Sequence, residues 1–300
     1  MNSGDTDPNK FTERCTRVRG FRQTFIHEGR GGTPLLLIHG WPETKRVWWR
    51  NIEPLARAGF EVVVPDLRGH GSSESGPDGF HDVPSHSRDL HALVTELGHN
   101  SVVAVGGDLG GPIIQDLSAR YPGFVDKAII FNTKLPYDKA NMSDLATRPP
   151  HEVGDYFRRQ ALDADALVTE LCTARMRRRY IAAFYESRLW AHPGAFDSAA
   201  VDFMTEPFAD ADQLRAGFGF YESLLNERRL SEPMLMPFPN KTPTMILFGT
   251  SDVVMYPDFD RMAALVFPDH IGPFLLRDCG HFVQWEAASQ LNSAITAWCL

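Results

Sequence analysis

Residues 102–113 read VVAVGGDLGGPI, and this stretch decides the fold. The four apolar residues at its start predict a buried strand, and the residues from Pro112 onward predict a helix. Glycines two positions before and two positions after Asp108 permit a tight turn, because the backbones of strand and helix nearly touch there. Such a turn exposes the side chain of Asp108 at the edge of the sheet. The stretch therefore predicts strand, sharp turn and helix, with a carboxylate at the turn.

Short apolar runs alternate with helical patterns along most of the chain. Buried strands are predicted at residues 35–39, 62–65, 102–105, 128–132, 244–248 and 274–276. Helices are predicted at residues 48–58, 87–97, 112–121, 258–266 and 285–298. Apolar runs without alternation are typical of a parallel sheet that helices cover on both faces. The pattern therefore predicts an α/β fold with a mostly parallel sheet.

The alternation stops between about residue 135 and residue 240. Helical patterns at 153–159, 163–188 and 211–228 replace it, and proline-bearing segments lie before and after them. We expect a core formed by residues 1–134 and 241–300. A helical cap, residues 135–240, would lie over the carboxyl ends of the strands, where open α/β sheets bind ligands. Residues 1–10 are polar and are predicted to be a frayed tail.

Two further segments carry residues that act together with a nucleophile. Residues 244–252, TMILFGTSD, end a predicted strand with the carboxylate of Asp252 just beyond it. Residues 278–286, DCGHFVQWE, place His281 between the last predicted strand and the last predicted helix. The order along the chain is nucleophile, acid, base, as in hydrolases that carry their nucleophile on such a turn. Asp108, Asp252 and His281 are therefore predicted to form a catalytic triad.

An aspartate nucleophile restricts the reaction. A serine that attacks an sp³ carbon leaves an ether, whereas an aspartate leaves an ester, which water can cleave. A carboxylate is already ionised at neutral pH, so Asp108 needs no base to activate it. His281, oriented by Asp252, is then free to deprotonate the water that attacks the ester. The sequence predicts displacement at carbon followed by hydrolysis of an alkyl-enzyme ester.

From about residue 20 to residue 298 the chain resembles the epoxide hydrolases of the α/β-hydrolase fold. The resemblance rests on the turn at Asp108, the triad order, the loop His39-Gly40-Trp41-Pro42 and two tyrosine segments. These enzymes are the aspartate-nucleophile branch and are related to haloalkane and fluoroacetate dehalogenases. The resemblance implies a mostly parallel, eight-stranded type of sheet flanked by helices, with an inserted helical cap.

The resemblance also implies an oxyanion hole made of backbone N–H groups. Trp41 would supply one donor, and Leu109, the residue after the nucleophile, would supply the other. These donors would stabilise the tetrahedral intermediate that forms on Asp108 itself. The peptide bond before Pro42 is expected to be cis by the same resemblance.

Two tyrosines of the cap are implied as proton donors for the opening of the epoxide ring. Tyr156 lies in GDYF (residues 154–157) and Tyr221 lies in GFGFYE (residues 217–222), which resemble the tyrosine segments of the family. Neutral phenols suit this role at pH 7, because an epoxide oxygen leaves as an alkoxide. Tyr185 is the substitute candidate for the second donor.

The sequence leaves two alternatives beside hydrolysis of a hydrophobic epoxide to a vicinal diol. The first is a hydrolytic dehalogenase with the same triad. Haloalkane dehalogenases, however, carry tryptophan where this chain has Leu109, and residues 109–112, LGGP, lack the arginines of fluoroacetate dehalogenases. Trp41 could give a halide one N–H, and we find no second donor. The other alternative is a catalytically silent protein of this fold that binds a ligand.

The composition of the chain narrows the classes of partner that the protein could bind. Thirty basic and 38 acidic residues give a net charge of −8, which disfavours nucleic acid and anionic membranes as partners. No apolar run approaches the length of a membrane span, and the N-terminus lacks the apolar segment of a secretory signal. The four cysteines form no CxxC pair, so neither a disulfide framework nor a zinc site is predicted. We expect a cytoplasmic enzyme without cofactor or metal, acting on a small epoxide and water, and leave a homodimer open.

Overall fold

The computed structural model describes residues 3–147 and 154–300, so residue 153, the start of one predicted helix, lies outside the described residues. Within the described residues one sheet holds eight strands in the spatial order β1-β2-β4-β3-β5-β6-β7-β8. The strands are β1 (Glu13–Val18), β2 (Phe21–Glu28), β3 (Thr33–Ile38), β4 (Phe60–Pro65), β5 (Val102–Asp108), β6 (Val125–Thr133), β7 (Thr244–Gly249) and β8 (His270–Leu276). The pairs β1/β2 and β2/β4 are antiparallel, and every other neighbouring pair is parallel. This is the predicted α/β-hydrolase architecture.

The six predicted strands correspond to β3 through β8. Their continuous apolar runs reflect burial on both faces, because residues 35–38 of β3 and 128–131 of β6 are fully buried. The sequence pattern does not predict β1 and β2. Four of the six side chains of β1 are exposed, so this edge strand lacks the apolar run that marks a central strand. The carboxyl ends of β3, β5, β6 and β7 meet at one edge of the sheet.

Helices cover the sheet and connect its strands. Outside the segment between β6 and β7 they are α1 (Ile52–Ala58), α2 (Val83–Glu96), α3 (Gly110–Arg120), α11 (Phe259–Val266), α12 (Val283–Glu286) and α13 (Ala288–Cys299). α2 illustrates the local signals, because it begins after Asp82, whose carboxylate accepts a hydrogen bond from the N–H of Ser85. The predicted helix 285–298 is divided at Ala287 into α12 and α13.

The segment between β6 and β7, here called the insertion, is helical and holds no strand in its described part. Its helices are α4 (Lys139–Met142), α5 (Gly154–Leu162), α6 (Ala164–Glu170), α7 (Ala174–Tyr185), α8 (Ser198–Thr205), α9 (Ala211–Gly217) and α10 (Gly219–Leu225). The predicted helix 163–188 is two helices, because the Thr173 hydroxyl accepts from the N–H of Met176 and begins α7. The predicted helix 211–228 is divided at Phe218. The boundaries 135 and 240 stay a prediction.

The prediction of a frayed tail over residues 1–10 is wrong from Asp5 onward. The indole N–H of Trp49 donates to the carbonyl oxygen of Asp7 (2.8 Å), and the carboxylate of Asp5 lies 3.4 Å from the guanidinium of Arg50. Two side chains near α1 therefore fasten this segment to the core. Among the described helices, none has the length and apolar character that a bilayer crossing requires.

Candidate active site

Asp108 is the last residue of β5, and its backbone has a φ of +46°. This left-handed conformation is strained for a residue with a side chain and is held by its surroundings. The hydroxyl of Thr133 donates to the carbonyl oxygen of Asp108 (2.6 Å). A Cβ on Gly111 would lie 2.0 Å from that same hydroxyl oxygen, so the glycine lets α3 approach β6 closely. The sharp turn predicted from the sequence is present.

The loop after β3 delivers a hydrogen-bond donor to Asp108. The backbone N–H of Trp41 donates to Oδ1 of Asp108 over 2.7 Å. Gly40 makes this approach possible, because a Cβ there would lie 2.5 Å from the Cβ of Asp108. The peptide bond between Trp41 and Pro42 is cis, which confirms the expectation for this loop. Leu109 is buried beside Asp108, but within the described residues its N–H forms no hydrogen bond to that carboxylate. Its role as second donor stays a prediction.

His281 lies between the two carboxylates that the sequence analysis pairs with it. Its Nδ1 is 2.7 Å from Oδ2 of Asp252, and its Nε2 is 3.3 Å from Oδ2 of Asp108. Both His281 and Asp252 are buried. The structure therefore brings all three side chains of the predicted triad together, at the carboxyl ends of β5 and β7 and in the loop after β8.

Asp252 is fixed by a residue that the sequence analysis misses. The side-chain amide of Asn132 donates to Oδ2 of Asp252 (2.8 Å), while its Oδ1 accepts from the N–H of Gly249 (2.8 Å). Asn132 lies at the carboxyl end of β6 and has a φ of +37°, a conformation that asparagine tolerates well. Its position at the end of a predicted strand was the available signal. The backbone N–H of Val254 holds the other oxygen of Asp252 (2.8 Å).

The charges around His281 favour its protonated form in the resting protein. Burial by itself would lower the pKa of His281, but the carboxylates of Asp252 and Asp108 outweigh burial and raise this pKa well above the ordinary imidazole value. One of these two carboxylates is the candidate nucleophile. The pKa of His281 therefore depends on whether Asp108 carries its charge.

Glu43 is a second buried group that the sequence analysis misses, although it follows Pro42 directly. Its Oε2 accepts from the N–H of Gly40 (2.6 Å), and its Oε1 accepts from the side-chain amide of Gln284 (2.9 Å). Burial, together with the charge of Asp108, raises the pKa of Glu43 to about 7. Glu43 thus connects the loop that carries Trp41 to helix α12, which follows His281.

Tyr156 on α5 and Tyr221 on α10 both pack against the Trp41 indole ring. The Trp41 ring is stacked on Tyr156 (6.1 Å between centroids) and meets Tyr221 edge-on (5.3 Å). Burial raises the pKa of both phenols, and the charge of Asp108 raises each further, so both are neutral proton carriers. The two tyrosine rings are 5.9 Å apart. The structure thus gathers both predicted donors around the loop that contacts Asp108.

Tyr185, the substitute candidate, has a different contact. Its side chain is buried, and its hydroxyl donates to the carbonyl oxygen of Pro42. Because this hydroxyl already holds the loop backbone, Tyr185 is less suited than Tyr156 or Tyr221 to protonate a leaving group.

The arrangement supports nucleophilic chemistry by side chains alone. It offers a carboxylate at a strained turn, one backbone donor on that carboxylate, a histidine between two acids and two neutral phenols. Across residues 3–147 and 154–300, no cluster of three or more histidine, cysteine, aspartate or glutamate side chains is arranged to hold a metal ion.

Comparison with known proteins places these features in a family. A family model described as alpha/beta hydrolase fold matches residues 33–288. A soluble epoxide hydrolase of Corynebacterium sp. (strain C12) is 38% identical over 35% of this chain and 35% of its own length. The bifunctional epoxide hydrolase 2 of Sus scrofa is 23% identical over 97% of this chain and 56% of its own length. An epoxide hydrolase of Caballeronia sordidicola is 27% identical over 90% of this chain and 88% of its own length.

Solved structures agree on the fold. The epoxide hydrolase CorEH without ligand superposes with a TM-score of 0.80 at 21% identity, covering 96% of this chain and 98% of that chain. The haloalkane dehalogenase DbeA from Bradyrhizobium elkani USDA94 superposes with a TM-score of 0.74 at 22% identity, covering 96% and 97%. Both kinds of enzyme share this architecture, so the fold by itself does not distinguish between their reactions.

Proposed function

The chain belongs to the alpha/beta hydrolase family, and we propose that it is an epoxide hydrolase that forms a covalent ester on Asp108. The observation that carries the proposal is the setting of this carboxylate. Oδ1 accepts the N–H of Trp41, and Oδ2 lies 3.3 Å from Nε2 of His281. The relatives named epoxide hydrolases support the same reaction.

In the first step, Oδ2 of Asp108 attacks one carbon of the epoxide. A bond forms between that oxygen and the carbon, and the carbon–oxygen bond of the ring breaks. The leaving oxygen takes a proton from the phenol of Tyr156 or Tyr221, which becomes a phenolate. Oδ1 stays on the N–H of Trp41 and becomes the carbonyl oxygen of the ester.

Formation of the ester changes the state of His281. The charge of Asp108 disappears, and with it one of the two carboxylates that raise the pKa of His281. The effect of burial, which lowers this pKa, is then opposed by one carboxylate fewer. His281 thereby gives up its proton, which neutralises the tyrosine phenolate left by ring opening, and the neutral imidazole can then accept a proton from water.

In the second step, Nε2 of His281 takes a proton from a water molecule that attacks Cγ of Asp108. The negative charge that develops on Oδ1 is stabilised by the N–H of Trp41. When the intermediate collapses, the departing diol oxygen takes the proton from His281. The proton of the new Asp108 carboxyl group then passes to Nε2 of His281, which restores the starting ionisation states, so the cycle consumes only epoxide and water.

Side chains near Trp41 favour an epoxide over a haloalkane. A halide leaves as a stable anion and needs N–H donors rather than a proton. The indole N–H of Trp41 is buried without a hydrogen-bond partner among the described residues, and a Cβ on Gly217 would lie only 2.8 Å from its nitrogen, so the backbone of α9 lies close to this N–H. Position 109, which would supply a second donor, is leucine. Two neutral phenols, one of them buried and the other partly buried, match the need of an alkoxide instead.

The aromatic surroundings favour a hydrophobic substrate. The Trp41 ring contacts Phe184 (4.9 Å, edge-on) and Phe218 (6.3 Å) in addition to the two tyrosines. A neutral epoxide with an aryl or alkyl substituent suits such an environment, because apolar surface is buried without a countercharge.

Oxygen labelling tests the ester directly. In a single turnover of styrene oxide by excess enzyme in ¹⁸O-labelled water, we expect diol without label and one heavy oxygen in the Asp108 peptide. With many turnovers, the label should reach the diol, because Asp108 then delivers labelled oxygen. Label in the diol during the first turnover would instead mean that water attacks the epoxide directly, and the ester mechanism would be wrong.

A further inference from the structure

One segment of the insertion contacts three loops of the candidate site, those that carry Trp41, Asp252 and His281. This segment, residues 185–192, begins at the end of α7 and is here called the strap. The hydroxyl of Tyr185 donates to the carbonyl oxygen of Pro42, in the loop that carries Trp41. The carbonyl oxygen of Leu189 accepts from the N–H of Val253 (2.9 Å), directly after Asp252. The strap therefore reaches both the loop of the backbone donor and the loop of the acid.

The strap is bonded most closely to the base. The carbonyl oxygen of Trp190 accepts from the backbone N–H of His281 itself over 2.7 Å. Two residues further on, the strap joins the carboxylate of Glu286, which accepts from the N–H of His192 (2.9 Å). The same carboxylate accepts from Gly280 (2.8 Å) and Phe282 (3.0 Å), on the two sides of His281. Glu286 thus ties the strap and the His281 loop together.

The close approach depends on a glycine. A Cβ on Gly280 would lie 2.3 Å from the carbonyl oxygen of Trp190 and 2.8 Å from the backbone nitrogen of His192. These nearest atoms belong to the strap backbone, which cannot move away as a flexible side chain could. Gly280 does not have a positive φ, so its conformation is open to alanine. Its lack of a side chain serves the contact with the strap.

The Trp190 side chain adds a contact to the imidazole. Its indole meets the His281 ring edge-on, with centroids 4.7 Å apart and planes at 79°. On another side it meets Tyr156, with centroids 5.6 Å apart. Trp190 is buried, so both contacts lie in a water-poor setting where ring positions are fixed by packing.

From these contacts we propose that Trp190 is a positioning residue and that the strap sets the place of His281 for the hydrolytic step. This inference rests on the proposed function. His281 is held by Asp252 only through Nδ1, so its distance from the ester depends on where its backbone lies, and the strap fixes that backbone. The insertion therefore acts in hydrolysis as well as in covering the site.

The Gly280→Ala variant tests the proposal, because its methyl group would push the strap from the His281 loop. The wild type and the variant are each mixed with styrene oxide in single turnover, and the ester is followed by intact mass. We expect ester formation at nearly the wild-type rate and ester hydrolysis about 10- to 100-fold slower, so that the ester accumulates. The apparent pKa of the hydrolytic step should fall as His281 moves from Asp252.

Gly194→Ala is the matched control. Gly194 lies in the loop that continues from the strap and has a φ of +85°. Among the described residues, no atom lies within 4 Å of the position that an alanine Cβ would take there, so alanine strains the backbone without touching the strap. We expect this variant to lose stability but to hydrolyse the ester with an unchanged pH profile. If the wild type forms neither ester nor diol, the proposed function fails before the strap is tested.

With an active wild type, two results would overturn the role of the strap. One is ester hydrolysis by Gly280→Ala at the wild-type rate and pH profile, and the other is an equal slowing of both steps. If Gly280→Ala does not fold, Trp190→Leu replaces it. Accumulation of ester in Trp190→Leu, with rescue of hydrolysis in Trp190→Phe, supports positioning by the ring, and wild-type hydrolysis in Trp190→Leu overturns it.

Discussion

Asp108 serves two functions in the proposed reaction, as nucleophile and as the charge that sets the state of His281. While Asp108 is ionised, its carboxylate helps to raise the pKa of the histidine. Once the ester forms, this contribution to the pKa of His281 is lost, and Asp252 remains the carboxylate bonded to the imidazole. The same atom pair, Oδ2 of Asp108 and Nε2 of His281, therefore couples the two steps without movement of either side chain.

Tyr156 and Tyr221 should act only in the first step, the opening of the epoxide ring. Tyr221→Phe removes one phenol beside Trp41, so the leaving oxygen loses a proton donor and ring opening should slow about 100-fold. Hydrolysis of an ester already formed should keep its rate, because water and His281 carry that step. Single-turnover mass spectrometry separates the two rates. Tyr137→Phe, which alters an exposed tyrosine, is the control. A slower second step alone would refute this role.

Strand ends were predictable from the sequence, because parallel strands with continuous apolar runs direct their carboxyl ends to one edge. Asp108 and Asp252 lie at or directly after such ends and His281 lies after β8, which explains why three residues far apart in the chain could be paired. Asn132 and Glu43 carried weaker signals. An amide at a strand end and a glutamate after a proline occur in many structural settings. Only the folded structure therefore shows which groups Asn132 and Glu43 contact.

Contacts through backbone groups of separate elements were not predictable. The backbone N–H of His281 donates to the carbonyl oxygen of Trp190 and so joins the loop after β8 to the insertion. Because every residue has a backbone carbonyl, the residue type at position 190 does not indicate this acceptor. The antiparallel strand β1 was not predicted for a related reason, because an exposed edge strand lacks an apolar run. Gly280 is a local sign of the strap in the sequence, but its role in this close contact is evident only once the position of the strap is known.

His39 connects the ends of two strands and should make the fold sensitive to acid. Its Nδ1 bonds the carbonyl oxygen of Gly40 (2.8 Å), so its Nε2 is free to accept from the N–H of Leu67 (3.0 Å), which requires the neutral ring. Burial, assisted by His70, lowers the pKa of His39 to about 3. The unfolded chain, with an ordinary pKa near 6.5, takes up the proton first, so lower pH favours unfolding.

We therefore expect the contribution of His39 to be fully present above about pH 6.5 and to be lost as the pH falls toward 3. Urea unfolding at a series of pH values measures this dependence. In His39→Gln the amide cannot titrate, so stability should fall less steeply between these pH values, although the variant starts from a lower stability. Equal slopes for wild type and variant would show that His39 does not titrate in this way.

Across the whole molecule, the sheet supplies the nucleophile and the acid, while the insertion supplies both phenols and the strap. Tyr156 and Tyr221 come from α5 and α10, which pack against each other, and Trp190 contacts both Tyr156 and His281. We expect that neither the sheet nor the insertion is active alone. Ring opening needs the phenols of the insertion, and ester hydrolysis needs the base that the strap holds.

The most direct test of the central claim is intact-mass spectrometry of the His281→Gln variant after separate incubation with styrene oxide and with 1-bromobutane. Without the base, the ester should form and persist. We predict a mass gain equal to the whole epoxide, located on Asp108 by proteolysis. This gain should be absent in the double variant that combines His281→Gln with Asp108→Asn. With 1-bromobutane we predict no mass gain. A butyl adduct on Asp108 without an epoxide adduct would contradict the account and indicate a dehalogenase, and diol formation by His281→Gln at the wild-type rate would contradict the assignment of the base.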